Sequence, residues 1–468
     1  MTEIWQWNTA TTAANIASGD ISATEVTQAH LDRLDAVNPA LNAVTNDVRE
    51  DAVAKAAALD TTFAATGPIG PLHGVPITIK ENIDVAGQVT PNGMPVFADL
   101  VAPSDSPLVA HLHAAGAVTI GRTNTPEMSY RWHTDNPLRG ETKNPWSSNR
   151  TPGGSSGGAA AAVVSGIGTI AHGNDLGGSL RQPANCNGLA TIRPTLGRVP
   201  SHNASAASGR SLSLQLMSTQ GPLAREVADV RLGLEVMAQP SPRDPWHRDV
   251  PIGGRPIDGP IRVAATYGAE GIPTQQPVRD AIDAAAKHLA DAGYEVEFVE
   301  PPALNEIRFG WQSLLATETS VTVLDQILAV GSEDFSRAVT WMFEDNVVLE
   351  LAGYVAAYTR RGEILAAWTE FLDHYPIVLT PVSQEVPFAP NADASSKERF
   401  HEILRGHTAL VAVNYLGLPA AAVPTTLTDD GPIGVQLIGR PFREDICLDA
   451  AQAIETRVGV MAEHLWAR

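Results

Sequence analysis

Apolar positions along the chain repeat in two periods, and the alternation between them points to an α/β fold. Ser22-Ala23-Thr24-Glu25 has the capping-box pattern, with Ile21 and Val26 placed as a hydrophobic staple. Val26, Leu34 and Val37 continue a helical stripe as far as Asn38-Pro39, so a helix is expected to open the fold. After a Pro/Gly-rich turn from Gly67 to Gly74, Val75, Ile77 and Ile79 alternate with Thr78 and Lys80. That alternation predicts a short strand with Lys80 at its end. Val118-Thr119-Ile120, Ile261 to Ala265, Val296 to Val299 and Ile377-Val378-Leu379 are further strand candidates. Val278, Ile282, Ala285, Leu289 and Ala292, closed by Gly293, form the clearest helix. Strands separated by helical stretches predict a mixed central β-sheet covered by helices. Gln239 to Pro260 and Glu385 to Pro390 read as surface crossings, and no fixed-period repeat occurs. Neither stretch compels a boundary, so one large domain over residues 1–468 is expected.

Composition narrows the partners. With 52 acidic against 32 basic side chains the formal charge is −20, the wrong sign for a protein that tracks a phosphate backbone or an anionic membrane. Hydrophobic residues make up 44% and charged residues 18%, enough for a sizeable core. Two cysteines, Cys186 and Cys447, supply neither a disulfide framework nor a four-thiolate zinc site, and both read as buried apolar side chains. Met1-Thr2-Glu3-Ile4 lacks a basic head with an apolar stretch behind it, and no apolar run approaches about 18 residues. A cytoplasmic location is expected.

The outlier is a glycine-serine segment. The 39 glycines of the chain predict 3 in any 36 residues, yet the 36 from Gly153 to Gly188 hold 10. The segment begins Thr151-Pro152-Gly153-Gly154-Ser155-Ser156-Gly157-Gly158 and later reads Gly173-Asn174-Asp175-Leu176-Gly177-Gly178-Ser179-Leu180-Arg181-Gln182-Pro183-Ala184. A flexible linker would lack the apolar runs Ala159 to Val164 and Leu189 to Ile192 that embed both turns. Glycine-rich turns can aim several backbone N–H groups at one point, as an oxyanion or a phosphate requires.

Phosphate and metal motifs fail in detail. Gly166-Ile167-Gly168 is followed by Ala171 where a dinucleotide fingerprint needs glycine, and no Gly-Lys-Ser/Thr completes a P-loop. His401-Glu402 starts like a zinc-protease motif, but Arg405 occupies the second histidine position. Gly153-Gly154-Ser155-Ser156-Gly157 satisfies the G-x-S-x-G elbow of α/β-hydrolases, yet the turn-like Asn149-Arg150-Thr151-Pro152 precedes it where an elbow needs a strand.

Taken together, the residues resemble the amidase signature family along most of the chain. Its members carry a lysine at the end of a G-V-P strand, a G-G-S-S-G-G turn and a G-x-D-x-G-G-S-x-R-x-P-A turn. Gly74-Val75-Pro76 with Lys80, Gly153 to Gly158, and Gly173 to Ala184 match these in order. Thr134-Asp135-Asn136-Pro137, Lys143-Asn144-Pro145-Trp146, Arg193-Pro194-Thr195 with Gly197-Arg198-Val199, and Gly431 to Gln436 extend the likeness. Glu81 departs from the aspartate many members have there, and Leu189 to Pro194 replaces a glycine-leucine-lysine-proline run.

The resemblance implies the amidase signature fold, with its core at about residues 70–200, and a carboxamide hydrolase working through an acyl-enzyme. Ser179 would be the nucleophile, Ser155 a bridging serine in a cis peptide, and neutral Lys80 the base. Backbone N–H groups of Leu176, Gly177, Gly178 and Ser179 would form the oxyanion hole, with Ser156, Asp175 and Arg181 supporting the site. No metal and no cofactor are expected. The expected partner is a small-molecule amide, apolar or aryl, with a homodimer the oligomer considered. Met128 to Trp132, Ala204 to Met217 and Trp311 to Trp341 are the candidate substrate segments. A carbamate or ester hydrolase of the same family, or the amide-transferring subunit of a tRNA-dependent amidotransferase, are the alternatives.

Overall fold

The computed structural model describes residues 3–344 and 348–468, so Met1-Thr2 of the sequence start lies outside the described residues. Its strands are β1 (Val44–Asn46), β2 (Pro76–Lys80), β3 (Val118–Thr123), β4 (Ile170–Asp175), β5 (Ala190–Arg193), β6 (Thr219–Ala224), β7 (Arg262–Ala265), β8 (Glu295–Phe298), β9 (Ile377–Pro381), β10 (Ala420–Thr428) and β11 (Gly431–Gly439). All eleven join one sheet in the order β1-β3-β2-β4-β6-β5-β10-β11-β9-β7-β8. The sheet is mixed, as expected. Pairing is parallel for β2 with β3 and β4, and for β7 with β8 and β9, whereas the centre from β4 through β6, β5, β10, β11 to β9 is antiparallel.

Side chains alternate across this sheet with the strand period of two. Ile377 and Leu379 of β9 enter one apolar core while Val378 enters the other, and Val263 and Ala265 of β7 are likewise separated from Ala264. Both faces are covered, which is why β2 is buried at every position, Thr78 and Lys80 included. The helix Gly157–Val164 is buried all round as well, matching a sequence of glycine, alanine and valine with no polar face.

The predicted strands and the helix Gln276–Asp291 occur where the periodicity places them, with ends within a residue or two except that β3 runs three residues beyond Ile120. Two expectations are corrected. The Ser22-capped helix, Ala23–Leu41, forms both capping-box bonds but does not open the fold: Thr9–Ser18 precedes it, capped by the Asn8 side chain and closed by Gly19. Glu385 to Pro390 is no bare surface crossing, because Phe388 is buried and its carbonyl accepts the Thr151 N–H. Among the described residues no single helix is long and apolar enough to cross a membrane.

Candidate active site

Register brings the site together. In the parallel pair β2 and β4, Ile77 lies opposite Ile170 and Thr78 opposite Ala171. Two residues beyond Thr78, Lys80 ends β2, and its side chain reaches Asn174 near the end of β4. Sites of α/β proteins gather at the carboxyl ends of such strands. Lys80 Nζ lies 2.7 Å from Ser155 Oγ and donates to Asn174 Oδ1, also at 2.7 Å. Lys80 has no solvent exposure, and its pKa is held well below that of an ordinary lysine. Burial is the dominant cause, opposed by the more distant charges of Asp175 and Glu81.

Ser155 follows a cis peptide bond from Gly154. Its turn is held from several sides. Thr134 Oγ1 donates to the Gly153 carbonyl and accepts from Gly157 N–H, while Gln182 Oε1 accepts the Gly154 N–H at 2.8 Å. A β-carbon on Gly154 would come within 2.5 Å of the Arg131 carbonyl, so glycine is the residue that fits there. Asn144 Nδ2 donates to the carbonyls of Thr151 and Cys186, and Trp146 Nε1 to that of Asn187. The Thr134 and Asn144 motifs of the sequence thus act as braces for the serine turn. Ser156 Oγ sits 3.5 Å from the Asn174 carbonyl.

The second serine turn runs from β4 into the helix Arg181–Asn187, a strand, turn and helix context that the first turn lacks. Ser179 is 8% exposed against 1% for Ser155, and its hydroxyl makes no hydrogen bond among the described residues. Asp175 accepts from Arg181 through Nε and Nη2, from the Gly178 and Leu180 N–H groups, and from Asn414 Nδ2. Burial pushes its carboxyl pKa up, but Arg181, with Arg193 and Asn414, outweighs burial and holds it below the usual range. Arg181 is in turn tied to Gln436, which comes from the Gly431 to Gln436 motif on β11. Of the four proposed backbone donors, Gly178 gives its N–H to Asp175 at 2.8 Å; those of Leu176, Gly177 and Ser179 find no acceptor among the described residues.

Two candidate substrate segments reach this turn. Trp132 Nε1 donates to the Gly177 carbonyl at 2.9 Å and Trp311 Nε1 to the Leu176 carbonyl at 3.1 Å. Ala204 to Met217 is tied mainly elsewhere, to Asp84, Trp246 and Glu318. Glu81 also faces away from the serines, accepting from Gly93 N–H and approaching Arg139. Asn174 was not singled out by sequence; the signal available was its place two residues before Leu176, on the strand beside Lys80. Among the described residues no three His, Cys, Asp or Glu side chains gather as metal ligands.

Similarity to known proteins gives the family. The Amidase family model matches residues 25–448, and the chain belongs to that family. It is 50% identical over 464 residues to an indoleacetamide hydrolase of Bradyrhizobium diazoefficiens, covering 99% of this chain and 88% of the relative. An acylamidase of Rhodococcus erythropolis is 33% identical over 468 residues, with 96% and 95% covered. A bacterial aryl acylamidase of the amidase signature family superposes with a TM-score of 0.84 at 26% identity, over 98% of both chains. The chain is a hydrolase acting on amide C–N bonds.

Proposed function

We propose that the chain hydrolyses the carboxamide of an aryl-bearing acid through an acyl-enzyme on Ser179, with Ser155 as relay and Lys80 as base. The observation that carries this reading is the buried Lys80 amine, 2.7 Å from Ser155 Oγ, with a neutral amide in contact on its other side. A serine hydroxyl is a weak nucleophile until a base takes its proton, and lysine serves only when neutral. Lys80 takes the Ser155 proton as Ser155 takes that of Ser179, whose Oγ attacks the amide carbon. The oxyanion is received by the N–H groups of Gly177 and Ser179, with Leu176 beside them. Gly178 supports the turn through Asp175. Collapse breaks the C–N bond, and the relay returns its proton to the departing ammonia. Water then deacylates Ser179 by the same relay and releases the carboxylic acid. The Ser155–Ser179 contact that the relay needs is expected to form with substrate in place. Asp175, Arg181 and Ser156 position the turns.

Substrate class rests on one support: a relative at 50% identity is named for indoleacetamide. An aryl acetamide is therefore the proposed substrate. The reading takes residues 1–468 as one catalytic domain acting in the cytoplasm on a free small molecule. Two measurements test it. Purified chain should give its highest kcat/KM on indoleacetamide in a panel with aliphatic amides, anilides, carbamates and esters, releasing ammonia and acid in equal amounts. A fluorophosphonate should add its mass to the peptide carrying Ser179; labelling at Ser155 that survives Ser179→Ala would overturn the assignment.

A further inference from the structure

Glycine-rich turns are soft, and the turn after β4 has two adjacent glycines, Gly177 and Gly178, where a backbone donor has to be held still. A trans peptide unit points its C=O and its N–H in opposite directions, so whatever fixes the oxygen also fixes the N–H. The unit from Gly177 C=O to Gly178 N–H is held at both ends, by Trp132 Nε1 at 2.9 Å and by Asp175 Oδ1 at 2.8 Å. The unit before it, Leu176 C=O to Gly177 N–H, is held only at its oxygen, by Trp311 Nε1 at 3.1 Å. Its N–H, with no acceptor among the described residues, points away from the indole. The Trp311 ring also lies flush against the turn: a β-carbon on Gly177 would come within 2.8 Å of Trp311 Cζ2. Both indoles are buried, at 2% and 4% exposure, and Trp132 is stacked on His407 with ring centroids 5.0 Å apart. Neither ring is free to swing.

We infer that Trp311 is a positioning residue that aims the Gly177 N–H at the developing oxyanion, and that Trp132 braces the neighbouring peptide. This rests on the reading of Ser179 as nucleophile. Trp311 comes from the helix Leu304–Thr322, and Trp132 from the loop after β3, so two remote elements clamp consecutive carbonyls of one turn. Removal of a direct oxyanion donor typically costs about 10²- to 10³-fold in kcat. Loss of the group that aims the donor is expected to cost less.

The test is a set of Trp→Phe variants, which keep an aromatic ring and lose the N–H. Trp311→Phe should lower kcat on indoleacetamide about 10- to 100-fold with KM within about threefold. The pH midpoint of acylation should stay where it is, because Lys80 is untouched. Trp132→Phe should lose less, since Asp175 still holds its peptide. Trp368→Phe removes a buried indole bond of the same kind, to the Pro302 carbonyl, and should leave kcat unchanged. Unchanged kcat in Trp311→Phe, a loss confined to KM, or an equal loss in Trp368→Phe would overturn the inference. If Trp311→Phe does not fold, benzothienylalanine at 311, isosteric but without a donor, gives the same reading. The two levels separate cleanly: turnover by Ser179→Ala removes the nucleophile assignment, whereas a dead Ser179→Ala with an unimpaired Trp311→Phe removes only the role of the indole.

Discussion

Lys80 and Arg181 are both fully buried basic side chains within the same site, and their surroundings differ in one respect. Arg181 meets the Asp175 carboxylate through two nitrogens, and its remaining donors go to Asn414, Gln436 and the Leu410 carbonyl. Among the described residues the Lys80 amine hydrogen-bonds only neutral groups, the hydroxyl of Ser155 and the amide of Asn174. Burial without a counterion disfavours charge, so the lysine loses its proton readily; burial with a bidentate counterion makes a fixed strut. On the proposed reading, the site obtains a base and a brace from the same element, desolvation, by supplying or withholding a carboxylate.

The largest effects come from removing the two basic side chains, and they should fall on different observables. Lys80→Ala should reduce acylation by at least about 10³-fold while circular dichroism and unfolding stay close to wild type, since no buried charge is stranded. Lys80→Arg should not rescue, because guanidinium stays protonated. Arg181→Met should instead destabilise by about 3–5 kcal/mol, the usual cost of leaving one partner of a buried pair alone. Single-turnover acylation with denaturant unfolding checks both. Wild-type acylation should rise with pH through a midpoint well below the roughly 10.4 of a free lysine. Equal stability losses in the two variants would break the contrast.

A middle-sized effect extends the comparison to acids. Asp175 has Arg181, whereas Glu455 is buried with no ion-pair partner among the described residues, its oxygens accepting from Val227 N–H and Gln452. Burial lifts the Glu455 pKa from 4.5 to about 7, with Glu226 and Asp229 nearby adding to the rise. The folded state therefore holds this proton more tightly than the unfolded chain. The contribution of Glu455 to stability should be lowest above about pH 7 and should increase as pH falls from about 7 towards 4.5, by on the order of 2–3 kcal/mol. Glu455→Gln keeps an acceptor for Val227 and removes the titration. It should be more stable than wild type at pH 8 and lose that advantage by pH 5, read from urea midpoints at both values. A pH-independent difference would mean that the carboxyl does not titrate there.

The chemistry of the site was more legible in the sequence than its supports. The glycine excess between Gly153 and Gly188, and the alternation ending at Lys80, are local signals, and both turned out to mark the places where side chains meet. β4 gave no such signal: Ile-Ala-His-Gly-Asn-Asp is buried on both faces at most positions and shows no alternation. The helix Thr9–Ser18 had readable ends in Asn8 and Gly19 but only a weak apolar stripe between them. What no local pattern can carry is register. Asn174 meets Lys80 because β2 and β4 pair in parallel, and Asn414, Gln436 and Trp311 reach the second turn from more than 130 residues away.

The smallest predicted effect is the sharpest test of the comparison, because it converts the surroundings of Lys80 into those of Arg181. A neutral lysine amine has one lone pair and two N–H groups. If one N–H is committed to Asn174 Oδ1, the lone pair is free to face Ser155 Oγ. Asn174→Asp keeps the shape and the acceptor and adds a charge in contact with the amine. An opposite charge at that distance favours the ammonium, by one pKa unit or more. The acylation midpoint should move up by about that amount, with a loss of roughly tenfold on the acid side of the profile and recovery towards wild type at high pH. Asn174→Ala should behave differently, leaving the amine neutral but unaimed, so that the rate falls at every pH without displacement of the midpoint. An unmoved midpoint in Asn174→Asp would show that the proton lost during acylation is not the one on Lys80.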